Sequence, residues 1–550
     1  MQKTLLLLVI YLGIISATYA GSAAVAMPDR YGAEVARQIL EIDGNAIDAA
    51  VAAAFVLAVT SPESGNIGGG GFMLSRVNGK AAFLDFRERA PQAAQRDMYL
   101  DEQGNFVQSL SLLGGKASGV PGTVRGLQEA HKRYGSLPWK QLLQPAITLA
   151  RDGFAVPADL AQYAQQKVEE VQGETNFAEH FGALITDPIF KQPELAHTLT
   201  LIGEDPDQFY QGSIARQIVA QMSKSNGLIS RDDLASYRAV WREPVSAKWR
   251  DHTVISAPPP SSGGVALIQL LLMRDFSDRH FRDVRHNSPA YIHYLAEIEK
   301  RVYADRAKYL GDPDFVDVPT VALLDPDYLQ QRAAELNPQA ISTGTSVAAG
   351  LESTDTAHFS IVDSKGNAVS LTYTLNWEFG SGVVVEGAGF LMNNEMDDFS
   401  AKVGVPNVYG VIGSDRNAIE PNKRMLSSMA PSMLVKDDSI SLVLGTRGGS
   451  TIFTSVLQVI LNLYDYQMSL PAAVNATRFH HQLPEQYLIR HDHRDIPPET
   501  TAALEAMGYA VEANSWGDLG DIQAIQRVGP VLQAVSDNRG RGVALVFETE

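Results

Sequence analysis

Thr356-Ala357-His358-Phe359-Ser360-Ile361-Val362-Asp363 reads as a β-strand that opens on a hydroxyl residue. Its apolar and polar residues alternate with the period of two, which is the mark of a strand with two different faces. Ser364-Lys365-Gly366-Asn367 supplies turn formers, and Ala368 to Leu375 resumes as a second strand, so the segment predicts a hairpin. Immediately upstream, Ser342 to Asp355 is mostly small and polar, as an exposed segment would be. A hydroxyl residue just after such a segment stands where a chain cut would create a new amino terminus. Breaking the Asp355–Thr356 bond would give Thr356 a free amine with an ordinary pKa of roughly 7.7 to 8.0, able to take the proton of its own hydroxyl near neutral pH.

Outward from the hairpin, other segments read as scaffold. Ala24 to Met27 is a small apolar strand candidate. Gly44-Asn45 opens an alanine- and valine-rich helix, Ala46 to Val59, ended by Thr60-Ser61-Pro62 and apolar enough all round to be buried. Gly65 to Leu74 is a glycine loop running into a strand. It lacks the Lys-Ser/Thr ending of a phosphate-binding loop, as does Gly114 to Ser118, so close backbone packing is its expected role. Residues 120 to 250 read as mostly helical. Pro258 to Gly264 is a rigid loop before an apolar helix, Val265 to Met273. Gly448-Gly449-Ser450 precedes another apolar helix, Thr451 to Leu463, and offers unhindered amides near a helix amino end.

Composition excludes several classes. The chain has 550 residues with 45% hydrophobic content, ample for a large core. Its formal net charge is −18 and its basic residues are dispersed, which argues against nucleic acid or anionic lipid as partner. Cysteine is absent, so there is no disulfide, thiolate metal site or cysteine nucleophile. His480, His481, His491 and His493 match no helical ligand pair, and no metal or other cofactor is expected. Ser536-Asp537-Asn538 lacks the Ser-x-x-Lys partner of penicillin-recognising enzymes and reads as a turn. Residues 1–20 have the layout of a cleavable secretory signal: Lys3, an apolar run from Leu5 to Ile15, and small residues before Gly21. The mature chain is expected to be soluble, in the periplasm or outside the cell.

Several rare pieces occur together and in order: Thr356-Ala357-His358, Tyr373-Thr374-Leu375-Asn376, Asn393 to Phe399, Leu426-Ser427-Ser428-Met429 and Gly448-Gly449-Ser450. Upstream stand Asp85-Phe86-Arg87-Glu88, Ala117 to Thr123 and Pro258 to Gly264. Over nearly the whole mature length the chain resembles the γ-glutamyltransferase (glutathione hydrolase) family, a branch of the amino-terminal-nucleophile hydrolases. The resemblance implies an α/β (α+β) fold of the four-layer αββα sandwich type. It implies a precursor that cuts itself between Asp355 and Thr356 into a large chain, 21–355, and a small chain, 356–550, which stay together as a heterodimer.

Residue roles follow from the same resemblance. Thr356 is the nucleophile in both maturation and catalysis, Thr374 supports it, and Gly448 and Gly449 form the oxyanion hole. Arg87, Ser427 and Ser428 hold the donor α-carboxylate; Asn376, Glu395 and Asp398 hold its ammonium. Tyr409 matches the aromatic residue of a lid. The expected donors are glutathione and related γ-glutamyl compounds, with water, amino acids or dipeptides as acceptors. Arg447, ahead of the glycine pair, and Trp377-Glu378 depart from the pattern and bear on the acceptor side. Two other readings compete: a glutaryl (β-lactam side-chain) acylase of the same fold, whose substrate lacks the α-amine that Asp398 would bind, and a non-catalytic exported binding protein, which would remain uncut.

Overall fold

The predicted hairpin is present and lies in the middle of a sheet. The computed structural model describes residues 21–342, 356–402, 404–405, 413–492, 494, 496–514 and 517–549. Residues 1–20, expected to be a signal, and Asp355, Tyr409 and His493 lie outside the described residues. In chain order the strands of the two large sheets are β1 (Gly21–Met27), β2 (Gly70–Val77), β3 (Lys80–Asp85), β4 (Val240–Arg242), β5 (Val245–Trp249), β6 (His252–Ser256), β7 (Ala357–Val362), β8 (Ala368–Thr374), β9 (Ser432–Lys436), β10 (Ser439–Gly445), β11 (Gln523–Val528), β12 (Val531–Ser536) and β13 (Val543–Thr549). The seven-stranded sheet has the order β13-β1-β7-β8-β2-β3-β4, and the six-stranded sheet the order β12-β11-β10-β9-β6-β5. Their ladders are antiparallel, so the class is α+β in the strict sense.

Two helical layers cover the outer faces. Helices α1 (Arg30–Glu41) and α2 (Ala46–Thr60) lie on the seven-stranded sheet; α3 (Gly263–Phe276) and α5 (Thr451–Tyr464) lie on the other, and α4 (Pro289–Tyr309) packs against α3. Every residue of α2 is buried, and its alanines let it lie close against the sheet. Asn45 and Asp48 form a capping box at its start, and such a cap contributes about 1 kcal/mol. Phe359, Ile361, Leu371 and Tyr373 share one core with this helix. Phe72 and Leu74 share a second core with Leu442, Leu444 and Ile525 of the facing sheet.

The alternation in β7 separates two buried faces, not core from solvent. Ala357, Phe359 and Ile361 point to the helices, while His358 and Ser360 lie between the sheets and are equally buried. Buried polar groups need partners, and these have them. His358 Nδ1 is 2.8 Å from Thr372 Oγ1, Ser360 donates to the Gln523 carbonyl (3.0 Å) and Ser370 to the Leu444 carbonyl (3.2 Å), so side chains pin one sheet to the other. Burial pushes the His358 imidazole down to about 3, and it stays neutral.

Residues 120 to 250 are mostly helical, as expected, but end in β4 and β5, edge strands of three and five residues that periodicity did not reveal. Ser536-Asp537-Asn538 is not a simple exposed turn: it ends β12, and buried Asp537 pairs with Arg478 and Arg539. His480 and His481 are buried and hydrogen-bonded, His480 to Thr454 and Gln482. Among the described residues no helix is long and apolar enough to cross a membrane.

Candidate active site

Strand register brings the two threonines level. Tyr373 pairs with Ala357 in the β7–β8 ladder, so Thr374 stands across from Thr356 one step further on. On its other side Thr374 pairs with Gly70 of β2. Here the glycine loop finds its use: a Cβ at Gly69 would lie 2.1 Å from the Thr374 carbonyl oxygen. The loop is a pad under Thr374, in line with the close-packing expectation. Just past the strand the backbone of Asn376 turns through φ +83°, and its N–H donates to Thr374 Oγ1 (2.8 Å).

Arg87 follows β3 and is fixed before it meets anything in the pocket. Its N–H donates to Asp85 Oδ1 (2.9 Å), and Tyr237 donates its hydroxyl to the Arg87 carbonyl (2.8 Å). The guanidinium lies fully buried, bonded to Glu395 and Asp398, with Glu88 3.8 Å away. Glu395 and Asp398 bracket one 3-10 turn. Asn393 holds that turn in place by donating to the Gly68 and Gly119 carbonyls, both at 2.8 Å.

Three carboxyls thus share one guanidinium. Burial pushes Glu88 up to about 8, with Arg87 opposing; burial likewise lifts Glu395 well above the carboxylate range and raises Asp398. Burial alone would lower Arg87, yet the surrounding carboxyls raise it above its ordinary value. Among the described residues neither oxygen of Glu88 accepts from another side chain, so little besides Arg87 offsets the cost of burying its charge. A carboxyl whose folded pKa is raised contributes stability below its unfolded pKa, and loses it as pH rises through the folded value. Wild type is therefore expected to match Glu88→Gln in thermal unfolding at about pH 5 and to fall below it by about pH 9. A gap that does not change with pH would mean that Glu88 is ionised throughout.

On the far side of Thr356, Gly448 and Gly449 adopt φ +132° and +53°, the left-handed region that glycine tolerates. The Gly448 carbonyl accepts from the Thr451 amide (3.0 Å) and hydroxyl (2.8 Å), and the Gly449 carbonyl from the Ile452 amide (3.2 Å). Peptides are planar and trans, so the Gly449 and Ser450 N–H groups point the opposite way, off the helix start. Ser427 and Ser428 are clamped by the Pro258–Gly264 loop: Ser262 donates both its N–H and its hydroxyl to the Ser427 carbonyl, each at 2.7 Å.

Arg87, Thr356, Thr374, Asn376, Glu395, Asp398, Ser427, Ser428 and Gly449 line a single cavity with about 350 Å³ of free space, its open mouth included. Gly448 sits in the turn beside it. Sequence reasoning missed Arg306, Met429, Ser450 and Ile452, which line the same cavity. Met429 and Ser450 adjoin predicted residues in sequence and could have been found that way; Ile452 lies three positions past Gly449, and Arg306 comes from the last turn of α4. Of the two departures, Trp377 donates its N–H to Asn394 Oδ1 (3.1 Å), and Arg447 reaches toward Asp521 at 3.9 Å. The arrangement offers a hydroxyl nucleophile at a strand start, amides for a developing oxyanion, and a pocket carrying both signs of charge.

Residues 32–547 match the family described as Gamma-glutamyltranspeptidase. The chain is 57% identical over 535 residues to the glutathione hydrolase proenzyme of Pseudomonas aeruginosa, covering 97% of this chain and 96% of that protein. Among solved structures, cephalosporin acylase from Bacillus halodurans superposes with a TM-score of 0.83 at 27% identity, over 96% of each chain. Gamma-glutamyltranspeptidase from Pseudomonas nitroreducens complexed with L-DON gives a TM-score of 0.57 at 54% identity, covering 57% of this chain and 95% of that one. A match over nearly the full length, with the motif residues gathered around one cavity, leaves a single conclusion: this chain belongs to the gamma-glutamyltranspeptidase family.

Proposed function

We propose that this chain is an autoprocessed γ-glutamyltransferase and glutathione hydrolase with Thr356 as its nucleophile. The observation that carries the reading is the juxtaposition of Arg87 with Glu395 and Asp398 beside Thr356, a pocket matched to a group bearing both an α-carboxylate and an α-ammonium. In the structure the two signs satisfy each other. A donor would exchange with them, its carboxylate taking Arg87, Ser427 and Ser428, and its ammonium taking Glu395, Asp398 and Asn376.

Maturation and catalysis use one hydroxyl. Thr356 Oγ attacks the Asp355 carbonyl carbon, the peptide C–N bond breaks with the proton going to the new Thr356 amine, and water hydrolyses the resulting ester. The products are a large chain, 21–355, and a small chain, 356–550, that remain a heterodimer. In catalysis the freed amine takes the Thr356 hydroxyl proton as Oγ attacks the γ-glutamyl carbonyl. The tetrahedral oxyanion sits against the amides at Gly448-Gly449, such donors being worth about 3 kcal/mol each. The amine then passes the proton to the leaving nitrogen, cysteinylglycine from glutathione. Water, an amino acid or a dipeptide takes the glutamyl group from the Thr356 ester. Thr374 supports the nucleophile, and Tyr409 belongs to a lid over the donor. The name of the 57% identical relative, a proenzyme, supports the division of the chain. Residues 1–20 act as an export signal, which puts the enzyme in the periplasm or outside the cell, and no cofactor is required.

Asp398 favours this reading over a glutaryl acylase, because a glutaryl group has no ammonium for it. Turnover of γ-glutamyl and glutaryl p-nitroanilides tests the choice: γ-glutamyl release is expected to be much the faster, and faster glutaryl release would reverse it. A denaturing gel with amino-terminal sequencing of the smaller band should give two chains, the smaller beginning at Thr356. One uncut chain in folded protein would sink the mechanism and favour a binding protein.

A further inference from the structure

The donor pocket contains a second buried guanidinium that the roles above leave idle. Arg306, on α4, lines the cavity with Arg87, and its bonds include two serine hydroxyls. Its Nη2 donates to Ser428 Oγ (3.1 Å) and its Nε to Ser262 Oγ (3.0 Å). A guanidinium can only donate, so both serine oxygens are fixed as acceptors on that side. Ser262 spends its own proton on the Ser427 carbonyl at 2.7 Å. The Ser428 proton has no acceptor among the described residues. Ser427 is in the same position: its Oγ accepts from the Met429 amide (3.1 Å), and its proton too has no acceptor among the described residues.

Two adjacent hydroxyls at the pocket wall are thus polarised by fixed donors behind them and left with protons to give. Pre-set donors of this kind suit an anion and cost little reorganisation when it arrives. Arg306 also contributes positive charge near Asp398, acting against the upward shift that burial imposes on that carboxyl. Its bond to Ser428 puts positive potential at the wall where the donor carboxylate would lie.

We propose that Arg306 is a specificity-determining positioning residue, which fixes the Ser428 hydroxyl as a donor and so makes the pocket select acyl donors that carry an α-carboxylate. The proposal rests on the γ-glutamyl reading of the site. A purely structural residue would tie α4 to the Pro258–Gly264 loop and affect all substrates alike.

The test compares kcat/KM for two p-nitroanilides, γ-glutamyl and 4-aminobutyryl. The second keeps the amine and the acyl chain but lacks the α-carboxylate. In Arg306→Met, γ-glutamyl turnover is expected to fall about tenfold to a hundredfold, chiefly through KM, the range of one lost charge-assisted hydrogen bond. The 4-aminobutyryl turnover should stay within about threefold, so discrimination between the two shrinks. Arg306→Lys keeps the charge but not the fork, and should restore discrimination in part. Equal losses on both donors, or no loss on either, would overturn the proposal. If Arg306→Met fails to mature, Arg306→Lys decides by the same criterion: a discrimination ratio at least about threefold below wild type supports the role, and an unchanged ratio overturns it. Wild type that fails to prefer the γ-glutamyl anilide would overturn the functional reading itself, and this inference with it.

Discussion

Thr356→Ala is expected to yield one uncut polypeptide that folds normally and releases no p-nitroaniline from a γ-glutamyl donor. The side chain removed is the proposed nucleophile of both reactions, so maturation and turnover are lost together. The fold has little reason to suffer: Thr356 precedes β7, and the ladder begins at Ala357 with residues whose packing the substitution leaves alone. Loss of a nucleophile removes about 10⁴-fold or more of turnover in hydrolases of comparable design. Thr356→Ser should retain both reactions at reduced rate, because a hydroxyl and, after cleavage, an adjacent amine are still present. The checks are a denaturing gel, amino-terminal sequencing and anilide release. Processing that persists in Thr356→Ala would assign the cut to another group, and activity in the uncut chain would dissociate maturation from catalysis.

What could be read in the sequence follows from how local its cause is. The β7–β8 hairpin was legible because its alternation and its turn are both short-range: Asp363 Oδ1 accepts the Lys365 and Asn367 amides, which closes the turn within five residues. The buried helix α2 was legible because nearly every position is small and apolar. What the alternation in β7 could not say is that its polar face looks at another sheet. His358 and Ser360 read as solvent-facing unless the second sheet is already known. The αββα layering therefore came from the family resemblance and not from strand counting. Short edge strands such as β4 give periodicity no length to act on.

Arg306 shows the same limit at the site. Helix α4 carries Glu297, Glu299, Lys300, Arg301, Asp305 and Arg306, all buried, where pattern reading puts charges on a solvated face. These groups are inside because they satisfy one another and the loops packed on them. Glu297 bonds Lys300 and Arg301; Asp305 accepts from Gln269, Tyr328 and Arg332; Glu299 accepts the His481 amide. The residues found from sequence, by contrast, lie in short runs, as in Arg87-Glu88, Ser427-Ser428 and Gly448-Gly449, whose chemistry is visible without knowing the neighbours.

Arg87→Met is expected to be nearly as damaging as loss of the nucleophile, for a different reason. The substitution preserves bulk but removes the cation around which Glu88, Glu395 and Asp398 are gathered. Breaking a buried ion pair by deleting one partner costs about 3 to 5 kcal/mol, because the remaining charge must be held unpaired or neutralised by a proton. The carboxyls, already raised by burial, would rise further and be protonated over more of the neutral range. The variant then loses both halves of the donor site: no guanidinium for the α-carboxylate, and no ionised carboxylates for the ammonium. kcat/KM for γ-glutamyl donors should fall by about 10³-fold, mostly through KM, with the acid limb of the pH profile displaced upward. Arg87→Lys separates charge from geometry. It should recover stability more than affinity, since an ammonium can compensate the carboxylates but cannot match a carboxylate with two parallel donors. Autoprocessing gives the internal control, because the Asp355–Thr356 bond brings no free α-carboxylate to the pocket. Maturation should slow far less than donor turnover, and equal losses in the two would show that Arg87 acts through the fold instead of through the donor.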